Sequence, residues 1–201
     1  MKAVLCKAFG PPESLVIEEV EPLKPGKGQV VISVKACGVN FPDTLIIQGK
    51  YQSKPPFPFI PGSEVAGVVK ELGEGVDTTK IGEKVMAFIG MNGFAEEAIV
   101  NEFQIVPMPH NLDFASGDIP RIPLNLPLLK VYSIVGVFWG AFMEREPKHG
   151  RENIQELITW VNEGKLKPHV TATYPLEHVA EALNDLMERK VTGKAVLVTE
   201  A

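Results

Sequence analysis

Short apolar runs separated by Gly, Pro and Asp follow one another through the first half of the chain. Each run is a few residues long and rich in Val and Ile, which is typical of the strands of a barrel or a sandwich. One short helix is predicted to interrupt them at 42–48, with Asn40 or Phe41 near its start and Gly49 ending it. The predicted strands are 2–9, 15–20, 29–39, 63–72, 84–89, 94–100 and 104–106.

The last third of the chain alternates helical and strand patterns. Two segments repeat apolar residues every three or four positions, which predicts amphipathic helices, and one run is almost wholly apolar, which predicts a strand buried on both faces. Before them, five prolines between 107 and 130 break any long helix and predict a connector. The layout has too few strands for a complete doubly wound sheet, so we predict the α+β class. The predicted elements are helices 151–163 and 176–187 and strands 131–138, 170–174 and 194–199.

Composition is that of an ordinary globular protein, with 45% hydrophobic and 22% charged residues among 201. The formal net charge of −5 argues against a nucleic-acid partner, because binding phosphates requires a basic face. No apolar run is long enough for a membrane span, and the first residues are too brief for a secretory signal. Cys6 and Cys37 form no disulfide framework. We therefore expect a cytoplasmic protein with no membrane partner.

Four motifs carry a resemblance to a known family. Residues 36–43 are ACGVNFPD, 58–64 are PFIPGSE, 136–140 are GVFWG and 193–198 are GKAVLV. Together they resemble the medium-chain dehydrogenase/reductase superfamily, and within it the zinc-free quinone oxidoreductase (zeta-crystallin-like) branch. The resemblance implies a GroES-like β-barrel catalytic domain that is completed by the carboxyl-terminal helix and strand segment.

The family's nucleotide-binding domain is the part that has no counterpart. In the family, a Rossmann domain that binds NADPH lies in the middle of the chain, yet no G-x-G-x-x-G motif opens a helix after a strand here. Residues 111–114 resemble the approach to that domain and 115–120 its exit, so no complete Rossmann fold is expected. The predicted parts are a GroES-like part at 1–114, a connector across the seam at 115–130, and the carboxyl-terminal part of the catalytic domain, with a remnant of the Rossmann edge strand, at 131–201.

The resemblance also implies roles for individual residues. It places two catalytic residues beside the nicotinamide and the substrate carbonyl, surrounds them with substrate-binding residues, and assigns others to the cofactor. The implied catalytic residues are Asn40 and Tyr51, the substrate-binding residues are Phe41, Asp43, Phe59 and Ser63, and the cofactor-binding residues are Phe138, Trp139, Gly140 and Lys194.

Structural alternatives stand beside these roles. Asn40 is also suited to a helix N-cap, and Asp43, three residues later, to closing the first helical turn. Tyr51 could anchor a proline-rich loop against Pro55 and Pro56. The aromatic strand 138–140 could be core, and Lys194 could be a solvated strand end.

We predict no metal. Members of the superfamily that use zinc carry a Cys at the position of Asn40 and a His at the position of Ser63, and both ligands are absent. The four histidines are scattered without ligand spacing. Without a metal, reduction of a quinone or an activated alkene requires a hydride donor, a shaped pocket and a hydrogen bond to the developing oxyanion.

The expected function is that of the catalytic, substrate-binding domain of an NADPH-dependent quinone oxidoreductase or enone reductase. Because the pyrophosphate site is lost, we expect NADPH to bind weakly or not at all and activity to be low or absent. The alternative is a non-enzymatic scaffold, or a module that binds a small molecule or a protein in the same apolar cleft. The resemblance further implies an edge strand from Tyr132 to Phe138 that could pair into a homodimer.

Overall fold

The structure is a computed structural model that describes residues 1–108, 142–143 and 145–199. These residues form two compact units, of which the first takes in 1–108 together with 168–199 and the second takes in 142–143 and 145–167. The predicted domain boundaries fall outside the described residues and stay a prediction. Also outside them lie the predicted strand 131–138 and Phe138, Trp139 and Gly140.

Nine strands and three helices longer than one turn are present in the described part of the chain. Their ends differ from the sequence prediction by a few residues at most. The strands are β1 (Lys2–Leu5), β2 (Val16–Glu19), β3 (Gln29–Val39), β4 (Glu64–Leu72), β5 (Lys84–Phe88), β6 (Glu97–Asn101), β7 (Ile105–Pro107), β8 (Val170–Pro175) and β9 (Lys194–Val198). The helices are α1 (Phe41–Ile47), α2 (Pro147–Asn162) and α3 (Val179–Met187).

The long strand β3 organises the first unit. One edge of β3 pairs antiparallel with β4. The other edge is shared, because β6 pairs with residues 29–33 of β3 and β9 pairs with residues 36–39. A strand from near the end of the chain is thereby built into the amino-terminal sheet, as the resemblance implied for the catalytic domain.

The expected closed barrel is not observed among the described strands. The sheet runs in the order β7-β5-β4-β3-β9-β8, with β6 beside β3, and no described pairing joins β7 to β8. The β1–β2 ribbon is separate and contacts the rest through the isolated bridges Ala3–Ala95 and Cys6–Phe59. Among the described strands, β9 occupies the second half of the β3 edge and then pairs in parallel with β8, which places β8 and not β7 at that edge of the sheet. The mixture of a mainly antiparallel sheet with few helices confirms the α+β class.

The core of the first unit follows from the alternation of apolar residues along the strands. Val30, Ile32 and Val34 of β3 are at most 1% exposed. Leu183 of α3 joins the same core, and α3 packs against α1 and against the single turn at 12–14. Three charged residues are buried in this unit as well, Asp43 on α1, Glu97 on β6 and Lys194 on β9. Asp43 and Lys194 mark the candidate site.

Candidate functional site

Polar side chains converge where β3 ends and α1 begins. Val39 lies opposite Ala195 in the antiparallel pairing of β3 with β9, so Asn40, which follows β3, comes beside Lys194, which precedes Ala195. The Lys194 ammonium donates a hydrogen bond to Asn40 Oδ1 at 2.5 Å. It also lies 2.9 Å from Glu64 Oε2, at the start of β4. The ends of three strands, far apart in the sequence, therefore build one cluster.

The cluster buries a positive charge. The Lys194 side chain is only 8% exposed, whereas that of Glu64 is 44% exposed. Removing an ammonium from water is costly unless it is paired, and the carboxylate of Glu64 and the amide oxygen of Asn40 supply that pairing. The alternative of a solvated strand end for Lys194 is therefore wrong.

Gly38 makes room for this arrangement. A Cβ at position 38 would lie 2.5 Å from Glu64 Oε2 and 2.8 Å from Lys194 Cε. Any side chain there would displace the ion pair from its position beside Asn40. Gly38 and Glu64 are thus two site residues that the sequence analysis did not assign, although both belong to the motifs quoted above.

Asp43 lies beneath the cluster and is only 2% exposed. Its Oδ2 accepts a hydrogen bond from the Asn40 backbone N–H at 2.8 Å, which closes the first turn of α1 as the structural alternative predicted. Burial raises the pKa of Asp43 to about 7, and the Glu64 carboxylate adds to the rise, while the backbone N–H of Asn40 and the Lys194 ammonium oppose it. Near neutral pH the carboxyl group is therefore present in both protonation states.

The remaining predicted residues are placed apart from these hydrogen bonds. Phe59 is 7% exposed and its ring stacks on Phe57 with centroids 5.6 Å apart, which is a core position. Phe41 opens α1 and is 41% exposed. Tyr51 is half-buried and packs against the core, and the half-buried Ser63 accepts a backbone hydrogen bond through its carbonyl. The structure brings together Asn40, Asp43 and Lys194 from the predicted set.

The donor set at this site does not fit a zinc ion. The ammonium of Lys194 already lies among the oxygens of Asn40 and Glu64, and a divalent cation placed there would face a positive charge at close range. The nearby Cys37 is buried, and burial, together with Asp43 and Glu64, raises the pKa of its thiol, whereas zinc binds the thiolate. Within 1–108, 142–143 and 145–199, no group of three or more His, Cys, Asp or Glu could hold a metal.

The described residues do not fit the pyrophosphate of a dinucleotide either. Such a group is held by backbone N–H groups of a glycine-rich turn between a strand and the helix that follows it. In the part of the chain that the structure describes, the parallel pair is β8 and β9, connected through α3. The turn that leads from β8 into α3 is Leu176–His178 and contains no glycine.

In the part of the chain that the structure describes, no helix is both long enough and apolar enough to cross a membrane.

Comparison with known families gives two adjacent matches. The description "Alcohol dehydrogenase GroES-like domain" matches residues 26–110, and "Zinc-binding dehydrogenase" matches residues 113–197. The two matches meet near the predicted seam and together cover most of the chain. The second name refers to zinc, which the donor set around Lys194 does not fit.

The chain is also similar in sequence to quinone oxidoreductases and quinone oxidoreductase-like proteins. The quinone oxidoreductase-like protein 2 homolog of Nematostella vectensis is 25% identical and covers 99% of this chain and 89% of that protein. This alignment spans 329 positions, so well over a hundred of its positions have no residue in the 201-residue chain. Rat quinone oxidoreductase is 40% identical over 125 residues, which is 61% of this chain and 38% of that protein.

Solved structures share the fold. A probable oxidoreductase from Mycobacterium abscessus superposes with a TM-score of 0.84 at 25% identity, covering 98% of both chains. The Escherichia coli quinone oxidoreductase complexed with NADPH superposes with a TM-score of 0.80 at 16% identity, covering 98% of this chain and 100% of that one. At 16% identity, the similarity to the Escherichia coli protein concerns the fold alone.

Proposed function

Since the chain belongs to the medium-chain dehydrogenase/reductase superfamily, where its relatives are quinone oxidoreductase-like proteins, we propose that it is the substrate-binding catalytic domain of a zinc-free, NADPH-dependent quinone oxidoreductase. Its described residues form no glycine-rich turn between a strand and a helix that would hold a pyrophosphate, so it holds NADPH weakly and transfers hydride slowly or not at all. The substrate class is a quinone or an activated alkene. The observation that supports this most is the cluster of Lys194, Asn40 and Glu64, which is complete without a nucleotide domain.

The chemistry of that cluster suits a carbonyl substrate. Negative charge develops on the carbonyl oxygen when a quinone or an enone is reduced, and donors fixed in a water-poor site stabilise it. Asn40 Oδ1 is engaged by Lys194, so the amide is oriented and its Nδ2 is the group left to donate. Within the described residues, Nδ2 has one long contact, 3.4 Å to the Gly38 carbonyl. A substrate carbonyl would offer it a better acceptor.

Replacing Asn40 tests the proposal. We expect Asn40→Ala to bind 9,10-phenanthrenequinone about five- to tenfold more weakly than the unchanged protein, because one hydrogen bond contributes about 1 kcal/mol. Isothermal titration calorimetry measures this. Asn184→Ala is the matched control, since its amide donates to Glu13 on the surface, and we expect it to bind the quinone unchanged.

Two outcomes would contradict the proposal. One is equal binding of the quinone by Asn40→Ala and the unchanged protein. The other is the absence of quinone binding by the unchanged protein, which would favour the scaffold alternative. In the same series, NADPH oxidation in the presence of the quinone is expected to be very slow even at millimolar cofactor.

A further inference from the structure

The Lys194 ammonium has binding capacity that its described neighbours do not use. An ammonium carries three N–H donors. Lys194 donates one to Asn40 Oδ1 and forms an ion pair with Glu64 Oε2. At least one N–H is therefore left without an acceptor among the described residues, on a side chain that is almost fully buried. Spare donor capacity on a mostly buried ammonium is suited to a ligand oxygen.

The charge around the ammonium is not fully cancelled inside the protein. Its ion-pair partner, Glu64, is 44% exposed, so water screens that carboxylate more than it screens the buried ammonium. The other titratable groups that face Lys194 are Asp43 on α1 and Cys37 on β3. Burial raises the pKa of Cys37 and holds it as the neutral thiol, and burial raises the pKa of Asp43 to about 7, so its negative charge is only partly present at neutral pH. A ligand oxygen at this point would meet a net positive centre.

We infer that Lys194 is the catalytic residue that binds the substrate oxygen, its ammonium taking the place that a metal ion would occupy in the donor set. The inference rests on the proposed function and assigns to Lys194 a role different from cofactor binding. It also explains why zinc does not fit: the site already contains its cation. Gly38 belongs to the same arrangement, because the absence of a side chain there leaves space for Lys194 to reach Asn40.

The test uses 4-nitrophenol, a single-ring probe whose oxygen is neutral or anionic according to pH and whose anion is visible by absorbance. An ammonium at the ligand oxygen stabilises the phenolate over the phenol. We expect the pKa of the bound probe to be at least about one unit lower in the unchanged protein than in Lys194→Met, roughly a tenfold change in relative affinity for the phenolate. Lys194→Arg retains the charge and is expected to retain most of the shift.

Two further variants make the test specific. Glu64→Gln removes the opposing carboxylate and is expected to lower the pKa of the bound probe further, the opposite direction to Lys194→Met. Lys27→Met is the matched control, because Lys27 forms an ion pair with Glu74 in which the side chains are 79% and 80% exposed, and no change is expected. Asp43 titrates in the same range and faces both Glu64 and Lys194, so each comparison is repeated in the Asp43→Asn background, in which that titration is absent.

The outcomes separate the inference from the proposed function. A bound probe with the same pKa in the unchanged protein and in Lys194→Met overturns the role of Lys194 and leaves the substrate site standing. Absence of probe binding to the unchanged protein overturns both. Opposite shifts in Lys194→Met and Glu64→Gln support the inference, and they would not arise if Lys194 only stabilised the fold.

Discussion

Phe94→Ala is expected to lower the free energy of unfolding by about 3 to 5 kcal/mol, the usual loss for a large aromatic side chain removed from a core. Phe94 is 0% exposed, and its ring packs so closely on Gly62 that a Cβ at position 62 could not be accommodated. Its backbone bonds to Val4 and Pro61, so it connects the β1 ribbon to the segment that leads into Glu64. Loss of this ring should destabilise the core and also the segment that positions Glu64.

Urea unfolding followed by circular dichroism measures the effect of Phe94→Ala. Phe103→Ala is the matched control, because Phe103 is 83% exposed and its removal should change the free energy of unfolding by no more than about 0.5 kcal/mol. A loss below about 1 kcal/mol for Phe94→Ala would contradict the packing described around Gly62.

Asp43→Asn is expected to remove most of the pH dependence of stability between about pH 4 and pH 7. The pKa of Asp43 is about 7 in the folded protein, against an ordinary value of 3.8 for an aspartate. Between these values the unfolded chain has released its proton and the folded chain retains it, so the free energy of unfolding falls as pH rises. The full fall amounts to about 4 kcal/mol, since one pKa unit corresponds to about 1.4 kcal/mol.

Urea titrations at about pH 4.5, 6 and 7.5 measure this slope across the interval between the two pKa values. The amide oxygen introduced by Asp43→Asn would still accept the hydrogen bond from the Asn40 N–H, so the first turn of α1 is retained while the buried charge is removed. Asp77→Asn, on an exposed loop, is the control and should leave the slope unchanged. If Asp43→Asn kept the whole slope, the burial of an ionisable group at this position would not be its cause.

The local pattern of the sequence predicts the elements well and their assembly poorly. The apolar run 29–39 between Gly28 and Asn40 is a strand over that whole range. Helix α2 begins four residues before its predicted start, because Pro147 is favourable in the first turn of a helix. The closed barrel that the resemblance implied is not observed among the described strands, since strand pairing depends on long-range register that no local pattern contains.

In the candidate site, too, contacts between residues close in the sequence could be predicted, and contacts between distant residues could not. Asn40 and Asp43 are three residues apart, and their contact follows from the helix start that the sequence indicates. Lys194 and Asn40 are 154 positions apart, and their contact exists because β9 pairs with the second half of β3. Within its own segment, GKAVLV, the lysine has the pattern of an ordinary strand end. Only the register that places Ala195 opposite Val39 makes it part of the site.

We propose that this chain has a substrate site but lacks, in its described residues, the means to hold a dinucleotide by its phosphates and adenosine. The most direct measurement compares NADPH with reduced nicotinamide mononucleotide, which has the same reactive ring but lacks the pyrophosphate bridge and the adenosine, by NMR titration of the unchanged protein. We expect two weak dissociation constants, in the millimolar range and within about threefold of each other. An NADPH dissociation constant about 100-fold lower than that of the mononucleotide, about 2.7 kcal/mol of extra binding, would contradict it.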